Sequence, residues 1–258
     1  MEFIDQMNRT IRLEAHPRRI VSLVPSQTEL LHDLELDDEV IGITKFCIHP
    51  ESWFRSKTRI GGTKTVNIER VRSLNPDLII ANKEENTQSD IEQLEQIAPV
   101  WLSDIHNLDE ALDMIIRIGE VTNRLGKAKE ISQLISEGFA RIQQAKSPKN
   151  VLYLIWENPI MGVGASTFIH DMITRLGWKN VLEKETRYPE LMDEDISILN
   201  PDLIILSSEP YPYKQAHIER YKKLLPTVDV QLLDGEFFSW YGSRLVKAVG
   251  YFEELLSK

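Results

Sequence analysis

The strongest constraint in this sequence is an internal repeat. Asn75-Pro76-Asp77-Leu78-Ile79-Ile80 recurs, letter for letter, as Asn200-Pro201-Asp202-Leu203-Ile204-Ile205, 125 residues further on. The correspondence extends upstream, where Glu69 lies six residues before Asn75 and Glu194 six before Asn200. Between these landmarks Val71 and Leu74 in one copy, and Ile196 and Leu199 in the other, stand at helical spacing. Each copy reads as a short helix, an Asn-Pro break and a buried strand of branched residues. With 258 residues, the chain has room for two such halves of roughly 100 residues each.

Other apolar runs follow the same style at residues 19–24, 40–43, 99–102, 151–155, 202–206 and 228–233. Helical patterns lie between them, including residues 108–121 and 168–176. Apolar strands alternating with helices predict an α/β protein with parallel sheets covered on both faces. After the first run, Ser26 and Glu29 stand at the spacing of a capping box. Residues 3–13 suggest a small hairpin, with Asn8 tolerating the left-handed position of its turn. Residues 127–146 place Ile131, Leu134, Ile135, Phe139 and Ile142 on one face of a helix about 30 Å long. A short loop, Ser147-Pro148-Lys149-Asn150, follows. The expected division is a first lobe at 1–122, a linking helix at 123–147 and a second lobe at 148–258, with the helical link restricting hinge opening.

Composition removes several function classes. The formal net charge of −10 argues against nucleic acid or an anionic membrane as partner, since both require a basic face. Cys47 is the single cysteine, so neither an intrachain disulfide nor a thiolate zinc cluster is expected. The apolar runs are too short to span a bilayer, so the chain is not expected to be membrane-inserted. Glu2, Asp5, Arg9, Arg12 and Glu14 interrupt the N-terminus, which has no apolar stretch of the signal-peptide kind. On that ground alone, a cytoplasmic location stays open beside an exported one.

In α/β sheets ligands gather where strands end. Those positions in the first half are Pro25-Ser26, residues 44–49 and residues 82–86. In the second half they are Trp156-Glu157-Asn158, residues 162–166, Arg187-Tyr188, residues 207–213 and residues 234–241, the last including Glu236, Phe237 and Trp240. Aromatic walls with scattered polar groups suit a large, flat or amphipathic ligand. Cys47 and His49 flank Ile48 but lack a third donor, so no metal ligand set is assigned. The Gly162-x-Gly164-x-Ser166 pattern reads either as a phosphate cradle or as a tight turn with Ser166 capping the next helix. No nucleophile elbow or His-Glu-x-x-His motif occurs, so no catalytic residue is assigned. The competing reading is a small-molecule enzyme using Cys47, His49 and Glu236.

With residues 19–29 and the downstream Gly61-Gly62, Ile68-Glu69 and Asn75-Pro76-Asp77-Leu78-Ile79, the chain resembles the class III solute-binding proteins of ABC importers, the helical-backbone metal receptors. These carry cobalamin, haem or ferric siderophores, and the resemblance is nearest to the cobalamin-binding branch. It implies two Rossmann-like lobes with parallel central sheets joined by a single long backbone helix. It also implies a ligand held between the lobes, an extracytoplasmic location and a monomer that delivers a metal chelate to a membrane permease without an intrinsic cofactor. It implies further that one glutamate per lobe docks on that permease, at the positions matched here by Glu69 and Glu194. Phe46 fills a tyrosine-like ligand position and Tyr188 a tryptophan-like one, whereas Thr63 and Asn82 stand where further aromatics are expected. The implied ligand residues are Pro25, Ser26, Phe46, His49, Asn82, Trp156, Tyr188, Glu236, Phe237 and Trp240. A corrinoid is the leading ligand, with haem or a ferric siderophore as alternatives.

Overall fold

A computed structural model describes residues 1–257. The chain forms two compact units. The first comprises Met1–Ile105, Asp109–Glu137 and Trp240–Val246, and the second His106–Leu108, Gly138–Ser239 and Lys247–Lys258.

In the first unit the sheet order is Thr58–Arg59, Val40–Ile43, Ile20–Ser22, Leu78–Asn82, Val100–Ser103, with every pairing parallel. Ile20–Ser22, Leu78–Asn82 and Val100–Ser103 are buried at every position, which is why they read as apolar runs rather than alternating ones. Val21, Leu23, Ile79, Ala81, Leu94 and Val100 form part of one core cluster. The N-terminal hairpin is present, pairing Glu2–Ile4 with Thr10–Arg12 around Asn8 at φ 58°. Asp5, fully buried, holds its turn by accepting from the amides of Met7 and Arg9.

The second unit departs from the all-parallel expectation. Asn150–Glu157 pairs in parallel with Leu203–Ser207, which pairs in parallel with Asp229–Leu233. On its other side, however, Asn150–Glu157 pairs antiparallel with Ile160–Gly162, which pairs antiparallel with Glu190–Leu191. Only two residues separate Glu157 from Ile160, enough for a hairpin and far too few for a parallel crossover.

Both copies of the repeat fold alike. Asn75 and Asn200 end their short helices, Ile68–Ser73 and Asp193–Leu199, in the left-handed conformation at φ 48° and 42°. Asparagine tolerates that geometry at a helix C-terminus. The Asp77 carboxylate accepts from the amides of Arg18 and Arg19 at 2.7 and 2.9 Å. The Asp202 carboxylate accepts from the amide and side chain of Asn150 at 2.7 and 2.9 Å. Each aspartate thus ties the start of its own strand to the start of the neighbour, where Ile20 faces Leu78 and Val151 faces Leu203. Because the two clamps lie in different units, Asp77→Ala and Asp202→Ala are expected to cost about 1–2 kcal/mol each and to add in the double variant. Urea midpoints of the four proteins check this; strong non-additivity contradicts it.

The helix expected over 127–146 runs over Leu125–Arg141, about 25 Å, and stops short of Lys146. Ala128, Ile131 and Ile135 form its buried stripe, whereas Leu134 is 55% exposed rather than facing inward with them. The chain passes from the first unit to the second within this helix, and again within Leu245–Ser257.

Candidate functional site

The strand ends of the first unit are built by buried polar bonds beneath an exposed rim. Pro25 is the first residue of the helix Pro25–Asp33, whose cap Val24 offers no side-chain bond. The capping box expected from Ser26 and Glu29 is therefore not formed. Proline starts the helix one residue earlier, and Glu29 is engaged elsewhere. Its carboxylate receives two bonds from the Arg244 guanidinium, at 2.7 and 3.0 Å, and both side chains are buried. That guanidinium also lies over the Trp240 ring, 4.6 Å from its centre. The His49 ring meets Trp240 edge-on at 5.6 Å. Glu29, Arg244, Trp240 and His49 thus form one chain of contacts ending in a half-buried imidazole.

Phe46 is 51% exposed, with the Lys45 ammonium 5.0 Å from its ring centre. Cys47, one residue on, points inward, where the hydroxyls of Thr28 and Thr44 lie 3.1 Å from its sulfur. Burial pushes its thiol up, with those two bonds opposing. The Cys47/His49 pair is thus separated: the thiol is in the core and the imidazole is on Trp240. Among the described residues no group of three or more His, Cys, Asp and Glu is arranged to hold a metal.

Asn82 is buried and its polar atoms are consumed within the unit. Its amide nitrogen donates to the Ser103 hydroxyl at 2.9 Å, and its oxygen accepts from the backbone amides of Glu84 and Glu85. Asn86 closes the same loop by donating to the Thr63 carbonyl. These bonds make Asn82 an organiser of the rim. Ser26 is buried and Pro25 half-buried beside it.

In the second unit Trp156 is 38% exposed, donates its indole N–H to the Asn158 carbonyl and meets the Tyr211 ring at 5.5 Å. Tyr211 in turn contacts Tyr213 and His217. Glu157 is buried, accepts from the Tyr221 hydroxyl at 2.9 Å and lies 3.2 Å from Arg220, which reaches on to Asp193 at 2.7 Å. This network escaped the sequence reading because its members lie on three separate elements; Glu157 stood at a strand end, but Tyr221, Arg220 and Asp193 did not.

The Gly162 to Ser166 segment is not an anion cradle. The Gly164 and Ala165 amides donate to the carbonyls of Arg187 and Glu185, and the Arg187 amide returns a bond to Ala165. Thr167, not Ser166, caps the helix Phe168–Arg175, accepting from His170. The zipped loops hold Tyr188, half-buried, immediately after Arg187 at φ 60°. Phe237 is stacked on Tyr251 at 4.5 Å, so one face of its ring is occupied, and Glu236 is half-buried at the start of a short helix.

Glu69 and Glu194 both fall in the first turn of the repeat's helices and both are exposed. No described helix is long and apolar enough to cross a membrane.

Two α/β units with aromatic and polar side chains at their strand ends are the architecture of a solute-binding class of protein. The chain belongs to the periplasmic binding protein family, which matches residues 20–229. It is 31% identical over 212 residues to the uncharacterized ABC transporter substrate-binding lipoprotein YvrC of Bacillus subtilis, covering 78% of this chain and 67% of that one. It is 25% identical over 241 residues to a vitamin B12-binding protein of Photorhabdus laumondii, covering 92% and 86%. Among solved structures, the periplasmic heme-binding protein HutB of Vibrio cholerae superposes with a TM-score of 0.80 at 18% identity over 95% of this chain and all of that one. The relatives are substrate-binding proteins, not enzymes, and the enzymatic reading built on Cys47, His49 and Glu236 is set aside.

Proposed function

We propose that this protein captures a corrinoid and delivers it to an ABC importer outside the cytoplasm, acting as a monomer. The observation that carries this reading is the similarity to a vitamin B12-binding protein over 92% of the chain. The exposed or half-buried aromatics at the strand ends agree with it. The first unit offers Phe46 and His49, with Trp240 buried against the imidazole, and Pro25 and Ser26 at another strand end. The second offers Trp156, Tyr188, Phe237 and Glu236. Flat rings of this kind suit a corrin or another planar macrocycle. Haem is the second reading, favoured by the half-buried His49 imidazole, a residue type that ligates iron. Glu69 and Glu194 are the proposed contacts with basic groups of the permease.

Incubation with cyanocobalamin, cobinamide or haemin, followed by desalting and visible spectroscopy, separates these readings. Cobalamin and cobinamide are expected to co-elute and haemin not to. Haemin alone co-eluting replaces the ligand, and no chromophore retained at tens of micromolar removes both.

A further inference from the structure

The two helix tips that carry Glu69 and Glu194 occupy the same place in the repeat, but their surroundings differ in three independent ways. The first is the state of the carboxylate. Glu69 lies 3.6 Å from Arg72 on its own helix, whereas Glu194 has no ion-pair or hydrogen-bond partner among the described residues. The second is local charge. Residues 67–74 carry Arg70 and Arg72 against Glu69, and residues 192–199 carry Asp193, Glu194 and Asp195 with no cation. Arg220 offsets Asp193, and the Asp195 carboxylate accepts from the Met192 amide, which leaves Glu194 as the carboxylate turned outward. The third is apolar exposure. Ile198, one turn beyond Glu194 on the same helical face, is 81% exposed, and Met192 at the helix start is 65% exposed. The repeat places Ser73 where Ile198 stands.

We infer that the tip formed by Glu194, Ile198 and Met192 dominates docking, and that it fits a permease surface pairing a cation with an apolar recess. This rests on the docking reading above and deepens it. A partner cation meeting Glu69 must compete with Arg72, whereas one meeting Glu194 displaces only water. A recess that covers Ile198 also removes its exposed side chain from water, a gain that Ser73 cannot supply. A few residues commonly carry most of an interface's affinity, so two otherwise equivalent tips need not contribute equally. The first tip, with its internal pair, then serves mainly to fix orientation.

The test uses the full chain and a vitamin B12 permease with its ATPase in lipid nanodiscs, with affinity measured by surface immobilisation. Glu194→Arg is expected to weaken binding by about a hundredfold or more, and Ile198→Ser by about tenfold. Glu69→Arg is expected to weaken it by less than Glu194→Arg, and Ser73→Ile to change it little or strengthen it. Far-UV dichroism and cobalamin affinity should be unchanged in all four. If Ile198→Ser stays within twofold, or Glu69→Arg costs as much as Glu194→Arg, the inequality of the tips is overturned while docking through glutamates stands. If both charge reversals are silent, or the unaltered protein fails to bind the nanodiscs, the docking reading falls and the inference with it.

Discussion

Arg244→Met is expected to lower stability by about 3–5 kcal/mol, because it leaves the Glu29 carboxylate buried without its counter-ion. The side chains are 9% and 6% exposed, so water cannot replace the guanidinium. The double variant Glu29→Gln, Arg244→Met should recover much of the loss, since it removes the stranded charge as well as its partner. Arg244→Lys should fall between, because an ammonium cannot make the paired bonds or lie flat over Trp240. Urea titrations followed by tryptophan fluorescence at neutral pH read both the loss and its recovery. A loss under 1 kcal/mol at neutral pH, or a double variant no better than the single one, contradicts this account.

The second large effect is expected at Gly61. Its φ of +105° is rarely adopted by side-chain-bearing residues, and an added Cβ would lie 2.5 Å from the Thr65 carbonyl oxygen and 2.9 Å from the Asn67 nitrogen. Both obstacles are backbone, so no rotamer change relieves them. Gly61→Ala should cost about 2–4 kcal/mol from left-handed strain and overpacking together. The damage should also reach function. The Gly61 carbonyl accepts from the Lys45 amide beside Phe46, and Asn67 caps the helix bearing Glu69. Ligand affinity and permease affinity should therefore fall together, which differs from the Glu194 and Ile198 substitutions. A Gly61→Ala protein of unchanged urea midpoint and unchanged cobalamin affinity would show that the loop is not held as described.

What the sequence disclosed was local or periodic. The repeat was legible because identical residues impose identical geometry, down to the left-handed asparagines and the strand-tying aspartates. Buried parallel strands announced themselves as apolar runs. The misreadings came from partners remote in the chain. Ser26 and Glu29 look like a local cap, but Glu29 bonds Arg244, 215 residues away, and spacing carries no sign of that pair. Gly162, Gly164 and Ser166 look like a turn opening a helix. The Gly162 and Gly164 amides instead donate to the carbonyls of Pro189 and Arg187, and Ser166 stands at φ 60° without capping the helix. Cys47 and His49 look like a pair because they are two residues apart, yet two hydroxyls draw the thiol inward and Trp240 receives the imidazole. At the candidate site, residue types and strand ends were readable, whereas the Glu157, Arg220 and Asp193 network needed three elements brought together.

The segment Trp240–Val246 has a consequence for biosynthesis. It belongs to the first unit but is translated after almost all of the second. During synthesis the N-terminal half waits without the Arg244 partner of Glu29, and its last piece arrives only after residues 138–239 have been made. A gene fragment stopping before Trp240 therefore encodes no self-sufficient first lobe. Premature termination or C-terminal trimming would yield a product flawed at its beginning as well as its end, and so a clear target for quality-control proteases.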